Sequence, residues 1–162
     1  MYGSALRKIT RWACERLNRG DIRPILALFA RNATYRYHGE HSWAADFGSR
    51  AELEPWLRRF VDVGIQFHPD EIMVVGAPWN SRVVLVYNDD LTDDDGEVIY
   101  VNRGVHVMRV RWGRIISDEV FSDSQLVAAL DDRLGNGSGR TQKFGAPEAA
   151  GRFSEGSSTA RR

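Results

Sequence analysis

The sequence predicts a single α+β domain, in which helices occupy the first part of the chain and antiparallel strands follow. Apolar residues recur at helical spacing over most of the stretch before residue 64. From residue 65 onward, apolar and polar residues alternate, as they do in strands that have two different faces. Short turns that contain glycine separate the later strands, which favours hairpins. With 162 residues, of which 43% are hydrophobic, the chain is long enough to bury one core.

Three helices are predicted before the main strands. The first covers residues 4–18 and stops at Gly20, after which Asp21 can cap a second helix over residues 22–30. The third helix begins with Ser49-Arg50-Ala51-Glu52, which is a capping-box pattern. Its apolar stripe consists of Leu53, Trp56, Leu57 and Phe60.

The strand pattern predicts five strands and one short closing helix. The strands are predicted over residues 33–38, 65–75, 82–91, 101–110 and 115–122, and the helix over residues 125–134. The rest of the chain, residues 136–162, is rich in glycine, serine and arginine and has no periodicity. We therefore expect one domain over residues 1–135 and a disordered tail over residues 136–162.

Composition excludes several classes of partner. The 22 basic residues balance the 22 acidic ones, so nothing in the overall charge favours nucleic acid or an anionic membrane. Near-zero net charge gives little repulsion between copies and suits an oligomer. Cys14, the only cysteine, cannot form an internal disulfide, and no apolar run is long enough to span a membrane. We expect a cytoplasmic protein.

The last hairpin brings a histidine close to an acidic side chain. A two-residue turn would require positive φ at the bulky Trp112, whereas a three-residue loop, Arg111-Trp112-Gly113, puts only glycine in the left-handed region. The three-residue loop places His106 opposite Asp118. The two-residue turn would instead place His106 opposite Glu119. Either register predicts a histidine–carboxylate pair.

The preceding hairpin adds further polar groups to the same predicted face. A glycine bulge at Asp94-Asp95-Gly96 places Asn88 opposite Asn102, and the three-residue loop of the last hairpin places Asn102 opposite Ser122. Asp90 lies on that face, two residues beyond Asn88. Isolated polar groups on an apolar face are costly unless they are paired, so this row predicts a pocket with a few placed polar groups.

Two stretches of sequence resemble a known superfamily. Leu17-Asn18-Arg19-Gly20-Asp21, with the later string 28–34, resembles the first half of the SnoaL-like and ketosteroid isomerase-like families. Residues 109–115 and Phe121-Ser122-Asp123 resemble their closing strands. Over residues 6–134 the chain resembles uncharacterised bacterial members of the nuclear transport factor 2-like superfamily. The resemblance implies a cone-shaped fold, in which helices wrap a curved antiparallel sheet around an internal pocket. It also implies a homodimer formed through the other face of the sheet.

The superfamily's catalytic residues fall on mixed positions of this chain. The base aspartate of the ketosteroid isomerase pattern falls on Tyr37. In the limonene-epoxide-hydrolase-like pattern, one aspartate falls on Asp90, and a tyrosine and an asparagine fall on Tyr35 and Tyr37. That pattern's second aspartate falls on Val120, and Asp118 lies two residues earlier.

These observations predict an acid–base enzyme that acts on a hydrophobic, oxygen-bearing small molecule without a cofactor or metal. The resemblance leaves isomerase, cyclase and hydratase or epoxide hydrolase open. The alternative is a non-catalytic member that binds a small ligand or a protein. The predicted catalytic residues are Asp90, His106 and Asp118, and the predicted substrate-binding residues are Tyr35, Tyr37, Trp43, Asn88 and Asn102. His106 can also be read as a structural bridge between two strands, and Tyr35 and Tyr37 as ordinary core aromatics.

Overall fold

One six-stranded sheet carries the fold, and helices cover its concave face. A computed structural model describes residues 1–135, and the predicted tail lies outside these described residues. The elements are α1 (Tyr2–Asn18), α2 (Arg23–Leu28), β1 (Phe29–Tyr37), β2 (Ala45–Phe47), α3 (Arg50–Val63), β3 (Gln66–Ala77), β4 (Asn80–Thr92), β5 (Val98–Arg111), β6 (Arg114–Ser122) and α4 (Ser124–Gly135). The strand order is β2-β1-β6-β5-β4-β3, and of these neighbouring pairs only β1 and β6 run parallel. The predicted α+β cone is confirmed.

The helices form where the sequence supplies apolar stripes and caps. Helix α3 begins at the predicted capping box: the Ser49 hydroxyl oxygen accepts a hydrogen bond from the Glu52 amide, and the Ser49 hydroxyl donates to the Glu52 carboxylate. Gly64 ends the helix with a φ of 90°. The stripe of α3 is buried against the sheet, as is that of α1. No helix within residues 1–135 is long and apolar enough to cross a membrane.

The chain enters the sheet earlier than predicted. Strand β1 begins at Phe29, whereas the sequence predicts helix up to residue 30 and a strand only from residue 33. Phe29 is buried and pairs with Ile115 of β6, so tertiary pairing overrides the local helical pattern. Between the predicted strand over residues 33–38 and the third helix, the chain also forms the short strand β2, which pairs with the end of β1.

The turn between β5 and β6 differs from the prediction. Trp112 and Gly113 form a two-residue turn with φ values of 49° and 76°, and Arg111 lies opposite Arg114. The Trp112 amide donates a 2.6 Å hydrogen bond to the Pro78 carbonyl of the neighbouring β3–β4 turn. This tertiary contact stabilises a left-handed tryptophan that local sterics disfavour.

A bulge then changes the register of β5 and β6. The pairing shifts by one residue between Arg109 and Val110, so His106 lies opposite Val120 and not opposite Asp118 or Glu119. Both registers considered from the sequence are therefore wrong. The extra residue nevertheless leaves His106 and Asp118 on the same face, as diagonal neighbours.

A second register shift changes the hairpin of β4 and β5. The acidic turn forms as predicted, because the Asp93 amide donates to the Glu97 carbonyl. Between Leu91 and Thr92 the pairing slips by one residue, and Asn102 lies opposite Asp89. The predicted polar row of Asn88, Asn102 and Ser122 is therefore wrong, since a one-residue slip moves a side chain to the other face.

Gly104 makes room for a buried tyrosine at the centre of the sheet. It lies opposite Tyr87 on β4 and opposite Ser122 on β6. A Cβ atom at this position would lie 2.4 Å from the Tyr87 hydroxyl oxygen and 2.8 Å from the Phe121 carbonyl oxygen. The glycine thus leaves room for the Tyr87 ring to lie over β5 on the concave face.

We predict that Gly104→Ala lowers the free energy of unfolding by about 1–3 kcal/mol, because the methyl group overpacks against Tyr87. Urea unfolding followed by circular dichroism measures the loss. Gly48→Ala is the matched control, since a Cβ there would meet nothing within 4 Å. Equal stability of the two variants would contradict this account of Gly104.

Candidate functional site

An internal cavity lies between the concave face of the sheet and helices α1, α2 and α3. Its volume is about 110 Å³. Because an engineered apolar cavity of roughly 150 Å³ binds benzene, this space suits a small molecule with about one ring. Most of its wall is apolar and includes Leu6, Leu17, Phe29, Leu53, Trp56, Phe60, Phe67, Leu85, Met108 and Val120. The polar side chains in the wall are Thr10, Tyr35, Tyr37, Tyr87, Asp89, His106 and Asp118.

His106 and Asp118 form a hydrogen-bonded pair in this wall. The imidazole Nδ1 lies 2.9 Å from Oδ2 and 3.1 Å from Oδ1 of Asp118. The Asp118 side chain is 3% exposed and that of His106 15% exposed. A carboxylate partner makes Nδ1 the donor, which leaves Nε2 as the nitrogen with a free lone pair. Within residues 1–135 Nε2 makes no protein hydrogen bond, so it is available to a molecule in the cavity.

Two tyrosines of β1 lie beside this pair. Tyr35 is the strand neighbour of Asp118, and burial raises its pKa, with a further contribution from the Asp118 charge. The Tyr37 hydroxyl lies 2.8 Å from the Ser122 Oγ, and burial raises the pKa of Tyr37 to about 12. Both phenols therefore stay protonated at neutral pH and can donate hydrogen bonds.

Asp89 is a buried carboxyl group in the cavity wall. The residue is 6% exposed. Its Oδ2 accepts a 3.3 Å hydrogen bond from the Tyr100 hydroxyl, while Oδ1 has no partner within residues 1–135. Burial raises the pKa of Asp89 to about 6, and the Tyr100 hydrogen bond only partly opposes this effect. Near neutral pH this group can therefore both donate and accept a proton.

Asp90 and Asn88 do not face the cavity, so the predicted placement of both is wrong. The bulge in the β4–β5 hairpin shifts the pairing by one residue, so both lie on the convex face, opposite to the face of His106. Asp90 Oδ1 lies 2.7 Å from His68 Nε2, and Asn88 Oδ1 accepts a 3.1 Å hydrogen bond from Arg103. Sequence reasoning missed Asp89 because the first half of β4 is apolar on both faces, and alternation alone does not say which face is inside.

Asn102 and Trp43 are buried, but they lie outside the wall of the main cavity. The Asn102 amide donates to the Tyr100 hydroxyl and to the Asp123 carbonyl, both at 3.1 Å, and its Oδ1 accepts from the Arg103 amide. Its polar atoms are thus engaged in holding the strand ends. Trp43 is 2% exposed, and the Arg59 guanidinium carbon lies 3.9 Å from the centroid of its ring, so the structure does not place this predicted substrate-binding residue at the main cavity.

Only part of the predicted site is therefore assembled in the structure. Of the predicted residues, the structure gathers Tyr35, Tyr37, His106 and Asp118 around one cavity. Within residues 1–135, no three histidine, cysteine or carboxylate side chains gather closely enough to hold a metal ion.

Solved structures of low sequence identity share this fold. An NTF2-like protein from Burkholderia thailandensis is 24% identical, with a TM-score of 0.62 over 76% of this chain and 95% of that chain. AclR, a candidate hydroxylase from Streptomyces galilaeus, is 15% identical, with a TM-score of 0.61 over 82% and 86% of the two chains. A candidate isomerase from Rhodopseudomonas palustris is 15% identical, with a TM-score of 0.61 over 81% and 96%. These identities establish likeness of fold alone.

The sequence itself matches one family profile. No curated protein matches the chain. The profile described as "SnoaL-like domain" matches residues 9–117, a range that begins within α1 and ends within β6 and includes the His106 strand. The predicted resemblance is confirmed, and the chain belongs to the SnoaL-like domain family.

Proposed function

We propose that this protein is an acid–base enzyme for a small, mainly hydrophobic molecule that carries oxygen. The observation that carries the proposal is His106: its Nδ1 is held by the buried Asp118, and its Nε2 is left free in the wall of an apolar cavity. A carboxylate in this arrangement orients the imidazole and stabilises the imidazolium that forms when Nε2 takes a proton.

The simplest reaction for this geometry is proton transfer next to a carbonyl group. His106 Nε2 removes a proton from the carbon beside the carbonyl, and the electron pair moves onto the carbonyl oxygen. The neutral hydroxyls of Tyr35 and Tyr37 are candidates to donate hydrogen bonds to that oxygen. Return of the same proton to another carbon completes an isomerisation. In a cyclisation the carbon attacks a second carbonyl of the same molecule, the π bond of that carbonyl breaks, and His106 returns its proton to the new alkoxide. The named relatives include a candidate isomerase, which supports this class of chemistry without identifying a substrate.

The buried carboxylate of Asp89 lowers the free energy of unfolding at neutral pH, and this cost supports the proposal. In the unfolded chain its carboxyl group titrates near 3.8, and in the folded protein near 6. Between these values the folded state binds more protons than the unfolded state, so the free energy of unfolding falls as the pH rises. A buried group that destabilises the fold at neutral pH is typical of sites where activity has a stability cost.

The convex face of the sheet supports a homodimer, which we also propose. Its centre consists of the half-buried pairs Val84–Val107 and Val86–Val105. At one end Arg82 lies directly opposite Arg109, and neither arginine forms an ion pair within residues 1–135. The other end is the acidic turn, whose carboxylates are Asp93, Asp94, Asp95 and Glu97. When two copies pack with these faces together, a twofold axis that lies between them and runs perpendicular to the strands would bring the basic end of each copy to the acidic end of the other.

We predict that the wild-type protein accelerates solvent deuterium exchange beside the carbonyl of one-ring ketones and enones in D₂O, measured by NMR. His106→Gln and Asp118→Asn should each lower the exchange rate at least about 100-fold, because each removes part of the general base. Asp90→Asn is the matched control and should keep the wild-type rate, since Asp90 faces away from the cavity. A wild-type protein that binds these compounds without exchange would favour the non-catalytic binder, and a fully active His106→Gln would contradict the assigned base.

We predict that Asp89→Asn is more stable than the wild type at pH 7.5, by at most about 3 kcal/mol, because it removes the buried charge. The advantage should shrink as the pH falls from 6 to 4, where the wild-type carboxyl group is protonated in the folded state. Urea unfolding of both proteins across this range measures the difference. A difference that does not change with pH would mean that burial does not penalise the charged form of Asp89.

We predict that the wild type is a dimer and that Arg82→Glu with Arg109→Glu shifts it toward monomer, because like charges then meet across the twofold axis. Analytical ultracentrifugation measures the equilibrium. Lys8→Glu, on the exposed side of α1, makes the same kind of charge reversal away from the sheet and should leave the equilibrium unchanged. A monomeric wild type would refute the assembly.

A further inference from the structure

A second, smaller cavity adjoins the main one. Its volume is about 20 Å³, and it lies under α4 at the far end of the concave face. Four side chains belong to the walls of both cavities: Tyr37, Trp56, Phe60 and Asp89. Asp89 is the only carboxylate that borders this small cavity, within the part of the chain that the structure describes. The small cavity is therefore separated from the main one by little more than the Asp89 carboxyl group and aromatic rings.

Two buried polar atoms in this wall lack partners, and they are complementary. The Trp43 indole Nε1 is a donor, and Asp89 Oδ1 is an acceptor. Neither makes a hydrogen bond within residues 1–135, although the two residues are only 2% and 6% exposed. Trp56, on the same wall, shows the usual arrangement: its indole Nε1 donates a 3.0 Å hydrogen bond to the Trp43 carbonyl. Buried groups of this kind nearly always find a partner, in protein or in bound water.

We propose that the small cavity is a binding site for one ordered water molecule, which accepts a hydrogen bond from the Trp43 indole and donates one to Asp89. A single water requires roughly 10–15 Å³ measured in this way, so 20 Å³ admits one molecule and not two. Buried waters typically make two to four hydrogen bonds. The hydroxyls of Tyr37 and Tyr100, which belong to the same wall, are the further candidate partners.

The chemistry of the wall disfavours other occupants. A metal ion needs several carboxylate, imidazole or thiolate ligands, and the wall offers one carboxylate and an indole that cannot coordinate. An organic molecule is too large for the space. The wall includes one residue with an unpartnered donor and one with an unpartnered acceptor, and water has both functions.

This water would make Asp89 a proton-exchanging group. Asp89 borders both cavities, so its carboxyl group can meet a ligand on one side and the bound water on the other. A proton taken up by Asp89 from a ligand then has a hydrogen-bonded partner that is shielded from bulk solvent. This catalytic role rests on the proposed function, whereas the water site itself rests only on the geometry.

NMR of the wild-type protein tests the site without any substrate. We expect a cross-peak between water and the Trp43 indole proton, which is assigned with Trp43→Phe. A high-resolution crystal structure should show a water within about 2.7–3.2 Å of both Trp43 Nε1 and Asp89 Oδ1. Absence of the cross-peak, or a protein atom bonded to either group in the crystal, would overturn the proposal.

A second measurement tests the link to Asp89. Trp43→Phe removes the donor that anchors the water, so we expect a further rise in the pKa of Asp89, followed by the ¹³C shift of its carboxyl group. Trp79→Phe, at the exposed turn between β3 and β4, should leave that pKa unchanged. An unchanged pKa in Trp43→Phe would overturn the link. A water cross-peak together with no deuterium exchange on any ketone would instead retain the water site and refute the proposed enzyme.

Discussion

Two single-residue bulges control which side chains reach the cavity. Side chains alternate along a strand, so one extra residue reverses every face beyond it. A two-residue turn at Trp112 and Gly113 would by itself place His106 and Asp118 on opposite faces of the sheet. The bulge between Arg109 and Val110 reverses the faces again and returns both side chains to the concave side. The proposed base and its orienting carboxylate depend on that one residue.

The bulge in the neighbouring hairpin has the same effect on two adjacent acids. Because of it Asp89 shares the concave face with His106, where burial raises the pKa of Asp89, whereas Asp90 faces outward to His68. The two carboxyl groups are consecutive in the chain and have unlike environments. Desolvation therefore makes one of them a proton donor and acceptor near neutral pH, whereas the other belongs to a surface ion pair.

Apart from Thr10 of α1, the polar side chains of the cavity wall belong to strands. Its other walls are apolar or aromatic, so the electrostatic effect of each polar group is strong and water has little room. Gly104 contributes to this arrangement, because the absence of a side chain there leaves room for the Tyr87 ring on the concave face. The convex face is different: its half-buried valine centre on β4 and β5 has charged side chains at both ends and also beside it, since Glu71 lies opposite Val86 and Glu119 lies opposite Val107. One sheet thus separates a mainly apolar concave side from an outer surface that carries both charged side chains and valines.

The sequence alone determined the elements and the class of fold. Helical stripes, the capping box at Ser49 and alternating strands depend on local physics, and the structure has them close to the predicted positions. Alternation also indicated that His106 and Asp118 share a face, although for a different register. Which of Asp89 and Asp90 faces inward was decided only by tertiary structure, because bulges depend on twist and cross-strand packing and not on local residue preferences. The left-handed Trp112 likewise required its hydrogen bond to Pro78 from another turn, a contact that no local pattern encodes.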